Sequence, residues 1–550
     1  MVKTRKWVPA VLASTMVLGT VIAGCSSSGG NTSSPSPSGG AASATPKQER
    51  IKMTMFYNEA GIKTPQSVDR SNNPLIQLVE DYANVDLEFD IPIYAEYTTK
   101  HNLVLSSGKL PDIFHSTIPD ETFKAARDGA FIDLKKYYDA SPMLQKVVTP
   151  AMMELGKDPI SGKYFRIPMA YDKGPQGTGV LARFDLIQKY NAGKWPGTVE
   201  EWVELLRKIK KAEPDSTPMA VRPVGDNIWS YGGGPIFGMY GALPYGYRIV
   251  GGKVIPNVAL PEFKEALKVM QTLYSEGILD KEFATTDATK YFAKLAEKNV
   301  LFQWNGMDQI LPYQVSMTLP TATGNQKEQV WGVAPPLTTY PSTLKDRKYA
   351  IAGVGLPISG HGLFIPASNK NPDRAFKVIE GFAQEQLKDK IFWGNEGDTY
   401  TMKDGKRVAN PDKMSAEDHT WKRQFAFLFG YTDGQDAQNA NFEAKLGTPN
   451  YTMISNGMKA MQKEAEAIGL ETPPGYSEPD EVLKKNAEIM QAINKFTTEF
   501  IMGRMSATDL DAAIADWEKK YRALKYDPLQ KFLDANKDNL VKQGFKKAGW

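Results

Sequence analysis

Residues 108–114 have the sequence GKLPDIF, which predicts how the first part of the chain folds. Gly108 can end a helix and Pro111 cannot continue one, so the apolar residues before this stretch belong to a helix that stops here. Residues 112–114 then predict a short buried strand that follows a tight turn. Open α/β sheets bind ligands outside the carboxyl ends of their strands, and we expect the Asp112 carboxylate at such a position. The alternative is an aspartate with a purely structural role in the turn.

The segments upstream of this stretch predict the start of a parallel sheet. Apolar and polar residues alternate at 51–55 and again at 85–89, as they do in half-buried strands. Between these two segments, Asn73 and Pro74 begin a helix with apolar residues on one face. With the strand at 112–114 the order is βαβαβ, which is typical of a parallel sheet.

The size and composition of the chain are those of a globular protein with more than one core. Its 550 residues exceed what one hydrophobic core usually supports, so we expect at least two lobes. The 66 basic and 63 acidic residues give a net charge of +3. This nearly balanced charge differs from the strongly basic charge that is typical of nucleic-acid-binding proteins. The single cysteine, Cys25, excludes an intramolecular disulfide framework and a cysteine-rich zinc site.

Residues 1–47 predict a secreted lipoprotein with a flexible tether. Basic residues at 3–6 precede an apolar run, which is the pattern of a signal peptide, with a retained membrane anchor as the alternative. Residues 22–25 (IAGC) resemble the lipobox of bacterial lipoproteins, in which the cysteine is acylated, and they favour the lipoprotein. We therefore predict a signal peptide at 1–24, and a lipidated Cys25 that begins a Ser/Gly/Pro-rich tether ending at residue 47.

Three segments combine aromatic residues with glycine or with polar and acidic residues. Residues 227–247 are neither helical nor alternating in pattern, so core packing and ligand stacking are both open for their aromatic residues. Residues 300–306 predict a short apolar strand that brings Trp304 to a polar turn. Residues 392–400 predict a loop that is both aromatic and acidic.

The motifs of common catalytic sites are missing from the sequence. The four histidines lie far apart without a zinc-ligand spacing, and we expect them in loops or in the core. There is no nucleophile elbow, P-loop or dinucleotide fingerprint. A glycosidase needs only two carboxylates at a suitable separation, so a polysaccharide-degrading enzyme stays an alternative.

Taken in order, several short motifs resemble those of the extracellular solute-binding lipoproteins of carbohydrate ABC importers, particularly the large branch typical of Gram-positive bacteria. The motifs are the lipobox at Cys25 and the segments 107–114, 162–168, 198–202, 365–376, 395–400 and 500–503. The resemblance implies an α/β, two-lobed periplasmic-binding-protein-like fold of type II. Each lobe would be a mostly parallel sheet flanked by helices, with a ligand cleft between the lobes. We expect lobe 1 at 48–168 plus 347–395 and lobe 2 at 169–346 plus 396–550.

The resemblance also implies a function without catalysis or a cofactor. A monomer would capture a mono- or oligosaccharide and deliver it to the permease subunits of an ABC transporter. A glycan-binding sensor or adhesin with the same fold is one alternative, and a receptor for peptides or another organic solute is a second. Some relatives carry a calcium loop after the helix at 198, but residues 212–218 lack alternating oxygen ligands, so we predict no metal there.

Carbohydrate chemistry selects the candidate ligand-binding residues. Sugar hydroxyls need hydrogen-bond partners when they are buried, and amides and carboxylates provide them. The C–H faces of a sugar ring stack on aromatic side chains, and we expect part of the candidate set to contact ligand in this way. The candidates are Asn58, Glu59, Asp112, Tyr171, Asp172, Trp229, Tyr231, Trp304, Trp393, Glu396 and Tyr400.

Overall fold

The computed structural model describes residues 49–62, 64–171, 177–223, 226–229, 231–307, 329–341, 351–429, 435–547 and 550. Its strands are β1 (Ile51–Phe56), β2 (Val85–Asp90), β3 (Ile113–Ser116), β4 (Ile167–Ala170), β5 (Gly177–Arg183), β6 (Tyr247–Val250), β7 (Lys253–Pro256), β8 (Phe302–Gly306), β9 (Trp331–Val333), β10 (Ile351–Val354), β11 (Ile358–Phe364), β12 (Tyr400–Lys403) and β13 (Lys406–Ala409).

Helices separate β1 to β4 along the chain, and further helices follow β5, β7, β11 and β13, so the mixture of sheets and helices confirms the predicted α/β class. They are α1 (Pro74–Ala83), α2 (Tyr97–Ser106), α3 (Pro119–Arg127), α4 (Lys135–Asp139), α5 (Pro142–Val147), α6 (Pro150–Leu155), α7 (Phe184–Asn191), α8 (Val199–Ala212), α9 (Gly234–Met239), α10 (Pro261–Ser275), α11 (Ala288–Glu297), α12 (Pro372–Phe382), α13 (Glu385–Phe392), α14 (Pro411–Met414), α15 (Glu417–Thr420), α16 (Ala426–Phe429), α17 (Gln435–Leu446), α18 (Thr448–Ile468), α19 (Asp480–Ile501) and α20 (Ala507–Lys542).

The first sheet has the strand order β2-β1-β3-β11-β4. β1 pairs in parallel with β2 and with β3, where Met55 lies opposite Ile113, and this confirms the predicted βαβαβ start. β11 returns antiparallel to both β3 and β4. The carboxyl ends of β1 to β4 therefore lie at one edge of the sheet, beside the amino end of β11.

The second sheet has the order β10-β5-β8, and β9 also pairs with β5. All of these pairs are antiparallel. The expected mostly parallel arrangement therefore does not hold for this lobe, where a parallel contact such as that of Met219 with Leu279 is an isolated bridge. A strand that is buried on both faces is apolar whichever way its neighbours run, so the sequence of β5 did not reveal their direction.

Each sheet has its own hydrophobic core. Buried side chains from Met53 to Ala170 and from Ile358 to Ala437 surround the first sheet. Buried side chains from Val180 to Val354 and from Phe442 to Phe545 surround the second sheet. The chain passes from one core to the other between β4 and β5, between β10 and β11, and within α17, and these passages divide it into two lobes.

Two segments belong to a different core from the one predicted. β10 was expected in lobe 1, but it pairs with β5 in the second sheet. The segment between Ala409 and Ala437 was expected in lobe 2, but it packs in the first core, where Phe425 stacks on Tyr57 and Phe382. An apolar pattern shows that a segment is buried but not which core it joins, so the sequence left these boundaries open.

Polar side chains mark the starts of two of the helices. Asn73 Oδ1 accepts hydrogen bonds from the backbone N–H groups of Leu75 and Ile76 at the start of α1. Thr198 caps α8 by accepting from the backbone N–H of Glu201 at 3.1 Å. Each cap satisfies donors that have no partner within the helix, and it fixes the residue where the helix begins.

Within the described residues, no helix has both the length and the apolar character that crossing a membrane requires. The predictions for the signal peptide, the lipidated Cys25 and the tether concern residues 1–47, which lie outside the described part of the chain.

Candidate ligand-binding site

The loop that follows β1 lies at the carboxyl edge of the first sheet. Asn58 is 5% exposed, and its backbone N–H donates to Nδ1 of His115 at 3.3 Å. Its side-chain Oδ1 accepts from the backbone N–H of Ala60 at 2.7 Å, which closes a tight turn. The loop is therefore held in one conformation by the strand end beside it.

Glu59 is a buried carboxylate in the same loop. It is 7% exposed, and its Oε2 lies 2.9 Å from Nη2 of Arg70. The Arg70 Nε also donates to Thr64 Oγ1 at 3.0 Å, so the guanidinium is fixed beside the carboxylate. Burial and then the charge of Glu59 hold the pKa of Tyr57 well above its usual range. A paired, nearly buried carboxylate is a rigid acceptor for ligand hydroxyl groups.

Two neutral imidazoles lie beside this loop. The His115 ring is fully buried, and its centroid lies 5.3 Å from that of His361 on β11. Burial keeps the pKa of His115 well below its usual range, and burial together with the charge of Arg166 lowers the pKa of His361 to about 4. Because Nδ1 of His115 accepts from Asn58, its proton lies on Nε2, which has no hydrogen-bond partner among the described residues.

The second lobe reaches this edge through Arg222. Its Nη2 donates to the Tyr94 hydroxyl of the first lobe at 3.0 Å. Its guanidinium lies 4.2 Å from the ring centroid of Tyr231 and 4.8 Å from that of Phe292, at cation–π distance from both. A Cβ on Gly61 would lie 3.4 Å from the Tyr94 ring, so the β1 loop, Tyr94, Arg222 and Tyr231 form one series of contacts across the two lobes.

A second set of contacts between the lobes involves several aspartate side chains. Ser477 Oγ lies 3.5 Å from Oδ1 of Asp120, at the start of α3. Burial and then the charge of Glu478 raise the pKa of Asp120. Nearby, Arg127 bridges Asp158 of the first lobe at 2.8 Å and Asp480 of the second at 3.3 Å. These groups link α3 to the start of α19.

The structure places four predicted residues at this boundary or beside it. Asn58, Glu59 and Tyr231 belong to the contacts described above. Tyr171 is half-buried at the carboxyl end of β4, where its backbone N–H donates to Pro357 O at 2.9 Å. Asp172 lies outside the described residues.

Two predicted residues have other positions. Asp112 lies at the amino end of β3, not the carboxyl end, and its Oδ2 accepts from the backbone N–H of Thr54 at 2.8 Å. It is the structural turn residue that the sequence left as the alternative. Trp229 is 1% exposed in the second core, and its Nε1 donates to Thr497 Oγ1 at 2.8 Å. Its surroundings are those of a core residue.

The other aromatic candidates form two separate groups. Trp304 is 9% exposed and packs on α9, where a Cβ on Gly238 would clash with its ring. Trp393 and Tyr400 meet edge to face with ring centroids 5.5 Å apart, and the Arg407 guanidinium lies over both rings. Glu396 is exposed in the loop between Trp393 and Tyr400. A role for these residues in binding stays a prediction.

Tyr94, Arg222 and His361 were not among the residues predicted from the sequence. Tyr94 follows the carboxyl end of β2, so the rule that selected Asn58 would have selected it if it had been applied to every strand. Arg222 directly follows the buried run Met219–Val221, and a charged residue at the end of such a run is a usable signal. His361 lies on a strand that runs opposite to its neighbours, and nothing in its local sequence indicates this position.

The groups at the boundary can bind a polar ligand by hydrogen bonds and by stacking. A buried carboxylate, imidazole nitrogens and a guanidinium lie beside the faces of tyrosine and phenylalanine rings. Within the described residues, no three His, Cys, Asp or Glu side chains are grouped so that they could hold a metal ion.

Comparisons with known proteins give a consistent result. Lipoprotein LipO of Bacillus subtilis is 23% identical over 543 residues, which cover 94% of this chain and 95% of LipO. A carbohydrate ABC transporter substrate-binding protein of Streptococcus pneumoniae is 25% identical over 284 residues, covering 50% of this chain and 53% of that protein. The structure of the S. pneumoniae substrate-binding protein FusA in complex with kestose has a TM-score of 0.64 at 17% identity, covering 89% of this chain and 100% of FusA.

The chain therefore shares its fold with FusA. Residues 55–386 also match the family described as bacterial extracellular solute-binding protein, and this range is more than half of the chain. The chain belongs to the family of bacterial extracellular solute-binding proteins.

Proposed function

We propose that this protein captures an oligosaccharide between its two lobes, leaves it chemically unchanged, and delivers it to the permease subunits of an ABC importer. The contact that carries the proposal joins Tyr94 of the first lobe to Arg222 and Tyr231 of the second. Aromatic faces and hydrogen-bonding groups from both lobes meet there, which is the combination that a sugar ring requires. The names of two similar proteins, a carbohydrate ABC transporter substrate-binding protein and FusA, support carbohydrate as the ligand class.

The ligand site is proposed at the boundary between the lobes. From the predicted residues it retains Asn58, Glu59, Tyr171 and Tyr231, and it adds Tyr94, Arg222 and His361. Asp172, Trp304, Trp393, Glu396 and Tyr400 stay predictions, whereas Asp112 and Trp229 are left out because of their positions in a turn and in the core.

Closure of the lobes would create the surface that the permease recognises. In two-lobed binding proteins a few residues in the crossing segments absorb the motion, and the ligand stabilises the closed form. We propose that the crossings near β4–β5, β10–β11 and α17 have this role. The site of action would be outside the cytoplasmic membrane, with Cys25 as a lipid anchor and the receptor acting as a monomer.

Calorimetric titration of the purified protein tests the proposal. The panel contains gluco-, fructo-, manno- and xylo-oligosaccharides and oligogalacturonides, with short peptides as a separate arm. We expect one glycan class to bind and to be recovered intact. Binding of peptides alone, or no binding by a folded sample, would contradict the proposal. Release of reducing ends from a bound glycan would favour the enzyme instead.

A deletion strain separates transport from sensing. We expect loss of uptake of the bound glycan and its restoration by the intact gene. Normal uptake in the deletion strain, together with glycan binding by the purified protein, would favour a sensor or an adhesin.

A further inference from the structure

The second lobe contains a cavity of about 920 Å³. It lies between the β6–β7 hairpin, helices α18 and α20, and the crossing strand β10. Its volume is within the range of pockets that hold small organic ligands. The cavity is lined from the second lobe, so it is distinct from the contacts around Tyr94.

Three tyrosines meet at the cavity wall. Tyr247 and Tyr526 have ring centroids 6.5 Å apart, and Tyr476 packs on Phe532 at 5.3 Å. Burial raises the pKa of Tyr247, Tyr476 and Tyr526, and the nearby Glu478 raises the pKa of Tyr476 and Tyr526 further. The phenols therefore keep their protons, and each is both a donor and an acceptor.

Polar atoms at this wall lack partners. The hydroxyls of Tyr247 and Tyr476 and Oδ1 of Asn257 are buried without a hydrogen bond to any described residue. A buried polar group without a partner destabilises a fold, so native proteins rarely keep several of them in one place without a use. Three such groups belong to residues that line one cavity, which makes them candidate partners for a polar molecule bound there.

The charges at the wall occur in opposite-sign combinations. Lys525 pairs with Glu478 at 3.0 Å, and Arg248 pairs with Glu262 at 2.9 Å. Burial raises the pKa of Glu471 and lowers the pKa of Lys547, and the charge of each opposes the shift of the other. Glu464, Lys537 and Lys546 also line the cavity. A wall with charges of both signs, phenol hydroxyls and aromatic faces fits a ligand that is rich in hydroxyl groups.

The cavity adjoins the boundary between the lobes. Tyr476 and Glu478 line it, and Ser477 between them contacts Asp120 of the first lobe. Asp120 begins the helix that follows the carboxyl end of β3, which is the edge where Asn58 and Glu59 lie. Two residues of the cavity wall therefore flank a residue that contacts the first lobe.

We propose that this cavity is a subsite that takes one end of an oligosaccharide whose remaining units lie between the lobes. The proposal rests on the proposed function, and it adds that the receptor discriminates by chain length. A ligand of one or two sugar units would occupy the cleft alone. A longer ligand would also satisfy the tyrosine hydroxyls and Asn257.

The test uses a blocking variant and a matched control on the same helix. Ala467 is exposed at the cavity wall, so A467W would fill the mouth without disturbing the core. Ala460 is equally exposed on α18 but does not line the cavity, so A460W adds the same bulk elsewhere. Calorimetry would compare gluco- and fructo-oligosaccharides from the disaccharide to the hexasaccharide.

We expect the wild type and A460W to bind the hexasaccharide of one series at least about tenfold more tightly than its disaccharide. A467W should bind both with the affinity of the disaccharide. The double variant Y247F/Y476F should lose about tenfold in hexasaccharide affinity, as expected for two lost hydrogen bonds. Its thermal midpoint without ligand should be unchanged or higher, because it removes hydroxyls that have no partner in the protein.

Hexasaccharide binding by A467W and by Y247F/Y476F at wild-type affinity would overturn the cavity proposal. If a cleft variant, Y231A, lost binding in that experiment, the proposed function would stand without the subsite. If the folded wild-type protein bound no oligosaccharide, both proposals would fail.

Discussion

The two lobes present their ligand-facing groups in different ways. In the first lobe, parallel β1, β2 and β3 bring three carboxyl ends to one edge, and Asn58, Glu59 and Tyr94 follow from that arrangement. In the second lobe the sheet is antiparallel, so strand ends alternate between the two edges. Its contribution comes from Arg222 and Tyr231, which lie outside its strands. The rule that ligands bind at carboxyl strand ends is therefore useful only where strands run in parallel.

The strongest test of this difference concerns two aromatic residues on one loop of the second lobe. Trp229→Ala should lower the free energy of unfolding by about 3–5 kcal/mol, because it empties a fully buried site in the core. Tyr231→Ala, two residues away, should lower it by about 1 kcal/mol, because it removes a cation–π contact at the boundary. Urea denaturation measures both values. Equal losses in the free energy of unfolding would show that both residues are core residues, which would contradict the difference drawn here between Trp229 and Tyr231.

The buried imidazoles of the first lobe should make its stability depend on pH. His361 has a pKa of about 4 in the folded protein and one near 6.5 when unfolded. The unfolded chain therefore binds the proton first, and the stability that is present above pH 6.5 is lost as the pH falls towards 4. At pH 4, the loss in free energy of unfolding that is attributable to His361 should reach about 2–3 kcal/mol.

His361→Gln is the control for this dependence. The difference in free energy of unfolding between the wild type and the variant should be constant above about pH 7 and should narrow between about pH 6.5 and 4. A difference that does not change with pH would show that His361 is not held neutral in the folded protein.

Ligand binding should depend on the second lobe through Tyr231. Tyr231→Ala should weaken binding of the best oligosaccharide by at least about tenfold, since truncation of a central aromatic contact typically has effects above about 1 kcal/mol. Trp393→Ala on the first lobe serves as the comparison, because Trp393 packs against Tyr400 and Arg407 in a separate cluster. Calorimetry should show the larger loss of oligosaccharide affinity for Tyr231→Ala. A larger loss for Trp393→Ala would indicate that the ligand binds at the loop 392–400 instead.

The smallest expected effect concerns the hydrogen bond between the lobes. Tyr94→Phe removes the hydroxyl that accepts from Arg222 and should shift the equilibrium between closed and open forms by about 1 kcal/mol towards the open form. Small-angle scattering should give a larger radius of gyration without ligand and the wild-type value with saturating ligand. An unchanged radius without ligand would show that this contact does not stabilise closure.

Much of the first lobe could be predicted from the sequence because its signals are local. Alternation at 51–55 and at 85–89, and the break at Pro111, each depend on a few neighbouring residues, and the strands occur there. The family resemblance rested on short motifs in order along the chain, and the family match over residues 55–386 confirms it.

What the sequence could not supply depends on distant contacts. Asp112 directly precedes β3 in the sequence, but only the assembled sheet shows that its carboxylate accepts a hydrogen bond from the backbone of Thr54 on β1. Trp229 and Tyr231 share one loop, and only packing against Phe237 and Phe283 separates the core residue from the boundary residue. Direction and burial are properties of the assembled sheet and core, so a local pattern does not contain them.

The most direct measurement of the central claim is a crystal structure of the protein with the oligosaccharide that binds best. The account predicts one ligand in contact with Asn58 or Glu59 of the first lobe and, at the same time, with Tyr231 or Arg222 of the second. A ligand held by one lobe alone, with the other lobe turned away from it, would contradict the account.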